Sequence, residues 1–352
     1  MKRILVLIVC GLFLTGCHDD KTLRVGVGAP GSDYYEYTVN LNKKLEKAGA
    51  DLRLKPVYTA DSASSIRLLN NGILDLALIN ASALDTALAV VSRINPAYVA
   101  SSVNEKNYDV INDGDEVNIY NSTVAGVYEQ TLHAIVRADS PYEDISDLAE
   151  KTVAVGSYDY AARTVSFGLL KDHGIKRPAR KLVAKTPKDA IELFKNKGAE
   201  ALFLYDSVPS DYVSELCKSM KVKFLPIVAD RLKIITKYEK SLTATSIKAN
   251  QYVGQNKSVG AVSINILLQA HNGTSYSAIE KLMKVMFEPD LNSNGDEVKS
   301  LDREALIYAT EPKLDLKFHP EAADFYQKYG FTVKETENLQ PLFDVHIVAS
   351  QD

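Results

Sequence analysis

The chain has few cysteines, and each lies in a different context. Its 352 residues contain three. Cys10 lies within an apolar run at the N-terminus, Cys17 closes that run, and Cys217 stands alone on a helical pattern. Cysteines in this arrangement leave no pair for an internal disulfide in the mature chain, so hydrophobic cores must supply the stability. We expect Cys217 to be a small core residue.

Other absences exclude whole classes of function. No second long apolar run follows the first, which excludes a membrane channel or permease. The net charge of −4 and the lack of a basic patch argue against nucleic acid as a partner. There is no Walker loop, G-x-S-x-G elbow or H-E-x-x-H motif, and the six histidines offer no clear partner for a nucleophile. We therefore expect no catalytic residue, no cofactor and no metal. An enzyme is the rival class that these absences disfavour.

The N-terminus predicts export. Residues 1–16 combine two cations, the apolar run Ile4–Phe13 and small residues before a cysteine, which is the pattern of a secretory signal. The run is shorter than the roughly 20 residues of a spanning helix. Leu14-Thr15-Gly16-Cys17 resembles the bacterial lipobox, which implies that Cys17 is acylated and becomes the mature N-terminus. Acyl chains would then hold the protein on a bilayer. The alternative is an ordinary secretory signal.

The tether and the address follow from the same resemblance. Residues 17–21 are expected to be a short polar tether, and the rest of the chain to work outside the cytoplasm. His18, rather than aspartate, follows Cys17. In the bacterial sorting pattern, this resembles the signal for transfer to the outer membrane. In a host with two membranes, we therefore expect the protein to be anchored on the periplasmic side of the outer membrane.

Strand and helix patterns alternate along the rest of the chain. A strand, helix, strand, helix, strand order over residues 23–79 predicts a parallel sheet with helices on its faces, with Ser62 expected to cap the second helix. The same order restarts at Leu132 and continues to about Ser219. The chain is longer than a single hydrophobic core usually accommodates. The predicted fold class is therefore α/β, with two α/β lobes. We assign lobe I to residues 22–137 plus 227–352 and lobe II to 138–226, with a ligand cleft between them.

Motifs spread over the mature chain carry a family resemblance. Gly31-Ser32-Asp33-Tyr34-Tyr35 looks like the G-G-T-Y-Y loop of the TAXI family, and residues 65–77 are similar to its N-x-R-L-L-x-x-G-x-x-D-L-A segment. Leu132–Ser140 matches its L-H-x-V-V-R-A-D-S strand. TAXI proteins are the extracytoplasmic solute-binding subunits of TRAP transporters and have a type II periplasmic-binding-protein architecture. The resemblance implies capture of a small carboxylate or amino acid by lobe closure, and delivery to a TRAP membrane subunit.

The resemblance also implies which residues bind the ligand. Those of the first lobe are Ser32, Tyr34, Tyr35, Ser62, Ser64 and Asn80. Those of the second are Ser157, Tyr158 and Tyr205. Arg163 is a candidate for a bidentate carboxylate contact, and its alternative is a solvated helix surface. The helices that begin near Asp33 and Tyr160 are expected to point their N-termini, which favour anions, at the cleft.

Four aspartates depart from the family pattern. Asp33, Asp61, Asp159 and Asp206 stand where the family has uncharged residues. Carboxylates near one cleft would repel a plain dicarboxylate unless they point outward. We therefore hypothesise a ligand with a cationic group, such as an amino acid, whose ammonium is accepted by one aspartate, Asp206 first. The alternative is that rim aspartates cap helices, which is favoured for Asp33 and Asp61.

Two further alternatives stay open. Residues 290–302 begin like a calcium loop, but Leu301 stands at the twelfth position where a bidentate acid belongs, so a polar turn is favoured. The other alternative is a sensory or scaffold lipoprotein that keeps the same fold and presents a ligand without transport. An outer-membrane anchor would favour that function over delivery to a permease in the inner membrane.

Overall fold

The computed structural model describes most of the mature chain. The described residues are 21–93, 121–157, 159–175, 181–184, 186–287, 314, 316–330 and 333. Predictions for Cys17, for the signal 1–16, for Tyr158 and for the calcium-like segment 290–302 fall outside them. Within the described ranges, no helix has both the length and the apolar character needed to cross a membrane.

The elements alternate as the sequence predicts. The first group is β1 Thr22–Val27, α1 Asp33–Lys47, β2 Arg53–Tyr58, α2 Ser62–Asn70, β3 Leu76–Asn80 and α3 Ala81–Arg93. The second group is β4 Asn121–Arg137, the 3-10 helix Ile145–Leu148, β5 Val153–Gly156, α4 Tyr160–Asp172, β6 Lys181–Ala184, α5 Pro187–Lys195, β7 Ala201–Asp206 and α6 Asp211–Ser219. The last group is β8 Val222–Phe224, α7 Ala229–Tyr238, β9 Leu242–Ile247, β10 Val259–His271, α8 Tyr276–Phe287 and α9 Pro320–Lys328. Elements α3, β8, α7, β9 and α9 were not predicted.

The strand order confirms the predicted fold class. The hydrogen-bonded path runs β2-β1-β3-β10-β4-β7-β5-β6. Strand β1 is parallel to β2 and β3 at one end, and β5 is parallel to β6 and β7 at the other. These parallel strands carry α1, α2, α4 and α5 in their connections, which is the α/β pattern. The protein therefore has two α/β lobes in the type II periplasmic-binding-protein architecture.

Two long strands cross between the lobes. Residues 121–131 of β4 pair with β10, whereas residues 131–136 of β4 pair with β7. Strand β10 likewise pairs with β3 through residues 266–270 and with β9 through residues 259–264. The predicted strand beginning at Leu132 is thus the second half of a longer strand. The proposed lobe boundaries at residues 137 and 227 stay a prediction.

Helix α1 shows how local sequence positions the cleft residues. Ser32 has extended backbone angles and its hydroxyl accepts a hydrogen bond from the Tyr35 N–H, so it caps the helix. Residues at helical spacing, including Tyr34 and Leu41, are buried against the sheet. This packing fixes the helix start at the carboxyl end of β1, and Asp33 therefore lies in the first turn at that edge.

The cores of the two lobes meet along β7. Alternate residues Phe203 and Tyr205 pack into the large core shared with the first lobe, whereas Leu202 and Leu204 pack into a second core under α5 and α6. Cys217 is a free, buried residue of this second core, as predicted. The alternation places Tyr205 on the face towards the first lobe, one residue before Asp206.

Candidate functional site

A cleft lies between the lobes at the carboxyl ends of the parallel strands, where open α/β sheets bind ligands. The described residues that line it are Gly28, Ser32, Asp33, Tyr34, Thr59, Ala60, Asp61, Gln130, Ser157, Asp159, Pro187, Tyr205, Asp206 and Tyr212. The cavity between these residues has a volume of about 30 Å³, which holds roughly two water molecules. A larger ligand therefore requires the lobes to move apart.

Five predicted ligand-binding residues line the cleft. They are Ser32, Tyr34, Ser157, Tyr205 and Asp206. Besides Ser62, four other predicted residues are not among the lining residues: Tyr35, Ser64, Asn80 and Arg163.

The four residues outside the lining have other contacts in the fold. Tyr35 packs against the core. Ser64 lies in the first turn of α2, and its N–H binds the Asp61 carboxylate at 2.8 Å. Arg163 lies inside α4, and its N–H contacts the Asp159 carbonyl at 3.4 Å. The bidentate carboxylate contact suggested for Arg163 therefore has no support from the lining of this cleft.

Ser62 lies just behind the lining. Its hydroxyl accepts the Asn80 N–H at 2.9 Å and donates to the Asp159 carboxylate. The prediction that Ser62 caps α2 is wrong, because Asp61 occupies the N-cap position with an extended backbone and accepts the Ser64 N–H. Asp61 therefore caps α2, and the Ser62 hydroxyl binds Asp159 at the cleft.

Asp159 joins the two lobes. It directly precedes α4 and is only 5% exposed. Besides the Ser62 hydroxyl, its carboxylate accepts the Tyr34 hydroxyl at 3.2 Å, and both donors belong to the first lobe. Burial and the Asp159 charge raise the pKa of Tyr34 well above its ordinary value, so the phenol stays a donor. These contacts hold the lobes together over the cleft.

Asp206 meets a different partner from the first lobe. Burial, and then the negative charge of Asp33, raise the pKa of Asp206 to about 7. Its remaining contacts come from its own lobe: the Ser207 N–H at 2.8 Å and the Ser210 hydroxyl. The Asp33 carboxylate accepts the Gln130 amide nitrogen at 3.0 Å. Two carboxylates from opposite lobes thus lie close to each other, and the Asp206 carboxyl binds a proton near neutral pH.

A buried network fixes the position of Asp206. Ser210 caps α6 and donates its hydroxyl to Asp206, while its N–H donates to the Tyr252 hydroxyl at 2.8 Å. The Tyr252 hydroxyl lies 2.7 Å from Nε2 of His133. Burial lowers the pKa of His133 to about 4, so its imidazole is neutral at neutral pH and shares one hydrogen bond with the Tyr252 hydroxyl. His133 therefore supports the cleft from behind.

Two buried polar atoms in the lining make no hydrogen bond to any described residue. They are Oε1 of Gln130 and the hydroxyl of Tyr205, on side chains 7% and 3% exposed. Because buried polar groups are nearly always paired, such atoms at a cleft are candidate contacts for a ligand. Gln130 was missed from the sequence, although it is a polar residue only two positions before the Leu132 motif. Thr59, Ala60, Pro187 and Tyr212 were also missed and carry no distinctive signal.

The helix N-termini at the cleft are already supplied with negative charge. Asp33 lies in the first turn of α1, Asp61 caps α2 and Asp159 precedes α4. The expectation that Asp61 caps a helix is confirmed, whereas Asp33 lies in the lining opposite Asp206. No lysine, arginine or histidine is among the described lining residues. The positive ends of these helices are therefore neutralised by the protein itself and offer little to a ligand anion.

The described residues contain no group of three or more His, Cys, Asp or Glu side chains that could hold a metal ion. The cleft carboxylates are thus not arranged as a metal-binding cluster. Asp33 and Asp206 accept hydrogen bonds from amide, backbone N–H and hydroxyl donors.

The cleft and the two lobes define the class: a bilobed protein with type II periplasmic-binding-protein architecture. The family model described as the NMT1-like family matches residues 112–330, more than half of the chain, so the protein belongs to the NMT1-like family. Membership of the TAXI family, which the sequence motifs resemble, stays a prediction.

Solved structures with a similar fold come from several bacteria. The aliphatic sulphonate binding protein SsuA from Escherichia coli is 15% identical with a TM-score of 0.42, over 76% of this chain and 74% of that one. The arginine-bound form of ArgBP from T. maritima is 14% identical with a TM-score of 0.38, over 75% and 94%. The VFT2 domain of BvgS from Bordetella pertussis is 14% identical with a TM-score of 0.41, over 75% and 86%.

Proposed function

We propose that the protein captures a small molecule outside the cytoplasm by closing its two lobes over it. The observation that carries the proposal is the set of groups that the two lobes bring to one cleft. Tyr34 and Ser62 from the first lobe meet Asp159 from the second, and Gln130 and Tyr205 leave unpaired polar atoms beside them. Capture requires polar groups from both lobes. A ligand that contacts both lobes binds the closed state more tightly than the open state, and it therefore favours closure.

The test is a ligand screen on the mature protein. Thermal unfolding is followed with a panel of amines, amino acids, carboxylates and neutral polyols, since a ligand that binds only the folded state raises Tm. The expected result is a rise with at least one chemical class and a smaller rise in a Tyr205→Phe variant. Equal rises in wild type and variant, or none in either, would contradict capture in this cleft.

The finer function is delivery to a TRAP membrane subunit, as the TAXI resemblance implies. The test is uptake of the identified ligand by cells with and without this chain. Transport requires uptake to fall when the chain is deleted. Unchanged uptake, with a ligand-dependent change in another cellular response, would favour the sensory alternative.

Anchoring through Cys17 is a separate part of the proposal. A Cys17→Ala variant is expected to leave the membrane fraction and to lose incorporation of a labelled fatty acid, while a Cys217→Ala variant keeps both. Release of neither variant would mean that the chain is not held by acylation at this residue.

A further inference from the structure

The chemistry of the cleft lining restricts the ligand beyond small-molecule capture. Four carboxylates line it, from Asp33, Asp61, Asp159 and Asp206, and no basic side chain does so among the described residues. The hydrogen bonds that Asp33 and Asp206 accept come from neutral groups: an amide, a backbone N–H and a hydroxyl. A buried carboxylate without a cation is costly, so Asp206 binds a proton or a positive charge from outside the chain.

The four carboxylates are not equivalent. Asp61 is used by the cap of α2, and Asp159 is used by Tyr34 and Ser62. Asp33 and Asp206 instead line the same cleft from opposite lobes: Asp33 accepts a hydrogen bond from Gln130, and the next residue of β4, Thr131, pairs with Asp206. Two carboxylates placed in this way repel each other unless a proton or a cation lies between them. This pair is therefore the position where a cation gains most.

Acceptor atoms converge beside this pair. The Gln130 amide nitrogen donates to Asp33, which orients its Oε1 as the remaining acceptor, and this buried oxygen has no partner among the described residues. An ammonium group carries only donors, and it needs several acceptors in different directions. Asp33, Asp206 and Oε1 of Gln130 supply three, on elements α1, β7 and β4.

We propose that the ligand of this cleft carries an ammonium or similar cationic group, and that this group binds between Asp33, Asp206 and Gln130. The proton balance is simple: when the cation binds beside the protonated Asp206 carboxyl, Asp206 releases one proton to solvent and its carboxylate accepts a hydrogen bond from the cation. This inference rests on the proposed function and names the ligand class of the same site. A plain carboxylate or dicarboxylate is excluded from this position by charge.

Other ionisable groups lie near the pair. Tyr128 on β4 and Tyr252, in the segment before β10, lie within range of the Asp206 charge, and burial raises the pKa of each. His133 lies behind Tyr252, and burial lowers its pKa to about 4. Asp61 and Asp159 share the lining. We assign proton release near neutral pH to Asp206, and the Asp206→Asn variant checks this assignment.

The experiment uses thermal unfolding and calorimetry of the mature protein. The cationic probes are ethanolamine, putrescine and L-arginine, and the anionic and neutral probes are lactate, succinate and glycerol. The variant is Asp206→Asn, which keeps the shape of the protonated acid. The matched control is Asp324→Asn, which alters an exposed carboxylate of α9.

The expected result has three parts. At least one cationic probe raises the Tm of wild type and of Asp324→Asn, while the anionic probes do not. Its affinity falls roughly 10- to 100-fold in Asp206→Asn, because charge-assisted hydrogen bonds are lost. Calorimetry in two buffers of different ionisation enthalpy shows close to one proton released at about pH 6 and almost none at about pH 8.5, with no release in Asp206→Asn.

Each contrary result has a definite meaning. If anionic or neutral probes raise Tm and cationic ones do not, capture stands and the cationic ligand class is wrong. If cations bind with unchanged affinity and proton release in Asp206→Asn, the assigned position is wrong. If no probe of any class raises Tm, both this inference and the proposed capture are contradicted.

Discussion

Asp159 and Asp206 are two carboxylates of the second lobe, at the carboxyl ends of the neighbouring strands β5 and β7, and each is 5% exposed. The first lobe nevertheless contributes hydrogen-bond donors to one of them and a negative charge to the other. Tyr34 and Ser62 give Asp159 two hydroxyl donors. Asp33 gives Asp206 another carboxylate. One site is complete without a ligand and favours the closed state, whereas the other is completed by a proton or a cation. The difference shows that residue type and burial do not determine a role, because the partner from the opposite lobe decides it.

The largest expected effect that separates the two sites is the pH dependence of stability. The folded-state pKa of Asp206 is raised from 3.8 to about 7, so the folded state holds this proton more tightly than the unfolded chain. The stability from this group is fully present below about pH 4 and is lost as the pH rises through about 7. Thermal unfolding from pH 4 to 8 is expected to show this loss in wild type and in Asp324→Asn. The same loss in Asp206→Asn would show that another group causes it.

The next effect is the loss of the charge at Asp159. An Asp159→Asn variant weakens the hydrogen bonds from Tyr34 and Ser62, and bonds to charged groups contribute about 1.5–3 kcal/mol each. We expect a free energy of unfolding lower by about 2 kcal/mol at neutral pH. X-ray scattering is expected to show a larger radius of gyration without ligand, because the lobes separate. Unchanged stability and radius would mean that Asp159 does not hold the lobes together.

A smaller effect is expected from Tyr34→Phe. This variant removes one donor to Asp159 and keeps the buried ring, so a loss of about 1 kcal/mol in the free energy of unfolding is expected from chemical denaturation. Combination with Asp159→Asn in a double-mutant cycle gives the coupling between the two residues. Strict additivity would contradict a direct contact across the cleft.

The smallest effect on stability is expected from Tyr205→Phe, which makes the same chemical change. Its hydroxyl is buried and has no partner among the described residues, so its removal leaves no unpaired group and stability stays within about 0.5 kcal/mol of wild type or rises. The cost is expected in ligand affinity. A loss of stability as large as that of Tyr34→Phe would contradict the view that this hydroxyl is reserved for a ligand.

Much of the fold could be predicted from local patterns. The spacing of apolar residues predicts helix α1, and the apolar run predicts strand β3. The repeated strand–helix order predicts the two lobes. The first half of β4 was missed because its pairing with β10 joins residues more than 130 positions apart. Such a partner has no signature in the neighbouring sequence.

The site was predictable only in part, for the same reason. The four aspartates were placed near the cleft because they replace uncharged residues in loops that resemble those of the TAXI family. Their roles were not, because these depend on which side chain of the opposite lobe each one meets. Arg163 has the right chemistry for an anion and the right helix, but it is not among the residues that line the cleft. Gln130 carries only an uncharged amide, which gave no signal in the sequence, but it lies in the cleft lining because β4 crosses between the lobes at this point.

The most direct test of the central claim is a crystal structure of the mature protein with the cationic probe that raises Tm most. The expected result is the cationic nitrogen between the carboxylates of Asp33 and Asp206, within hydrogen-bond distance of Oε1 of Gln130, with the lobes closed around it. A ligand bound outside this cleft, or one that presents a carboxylate or only uncharged atoms to the pair, would contradict the account.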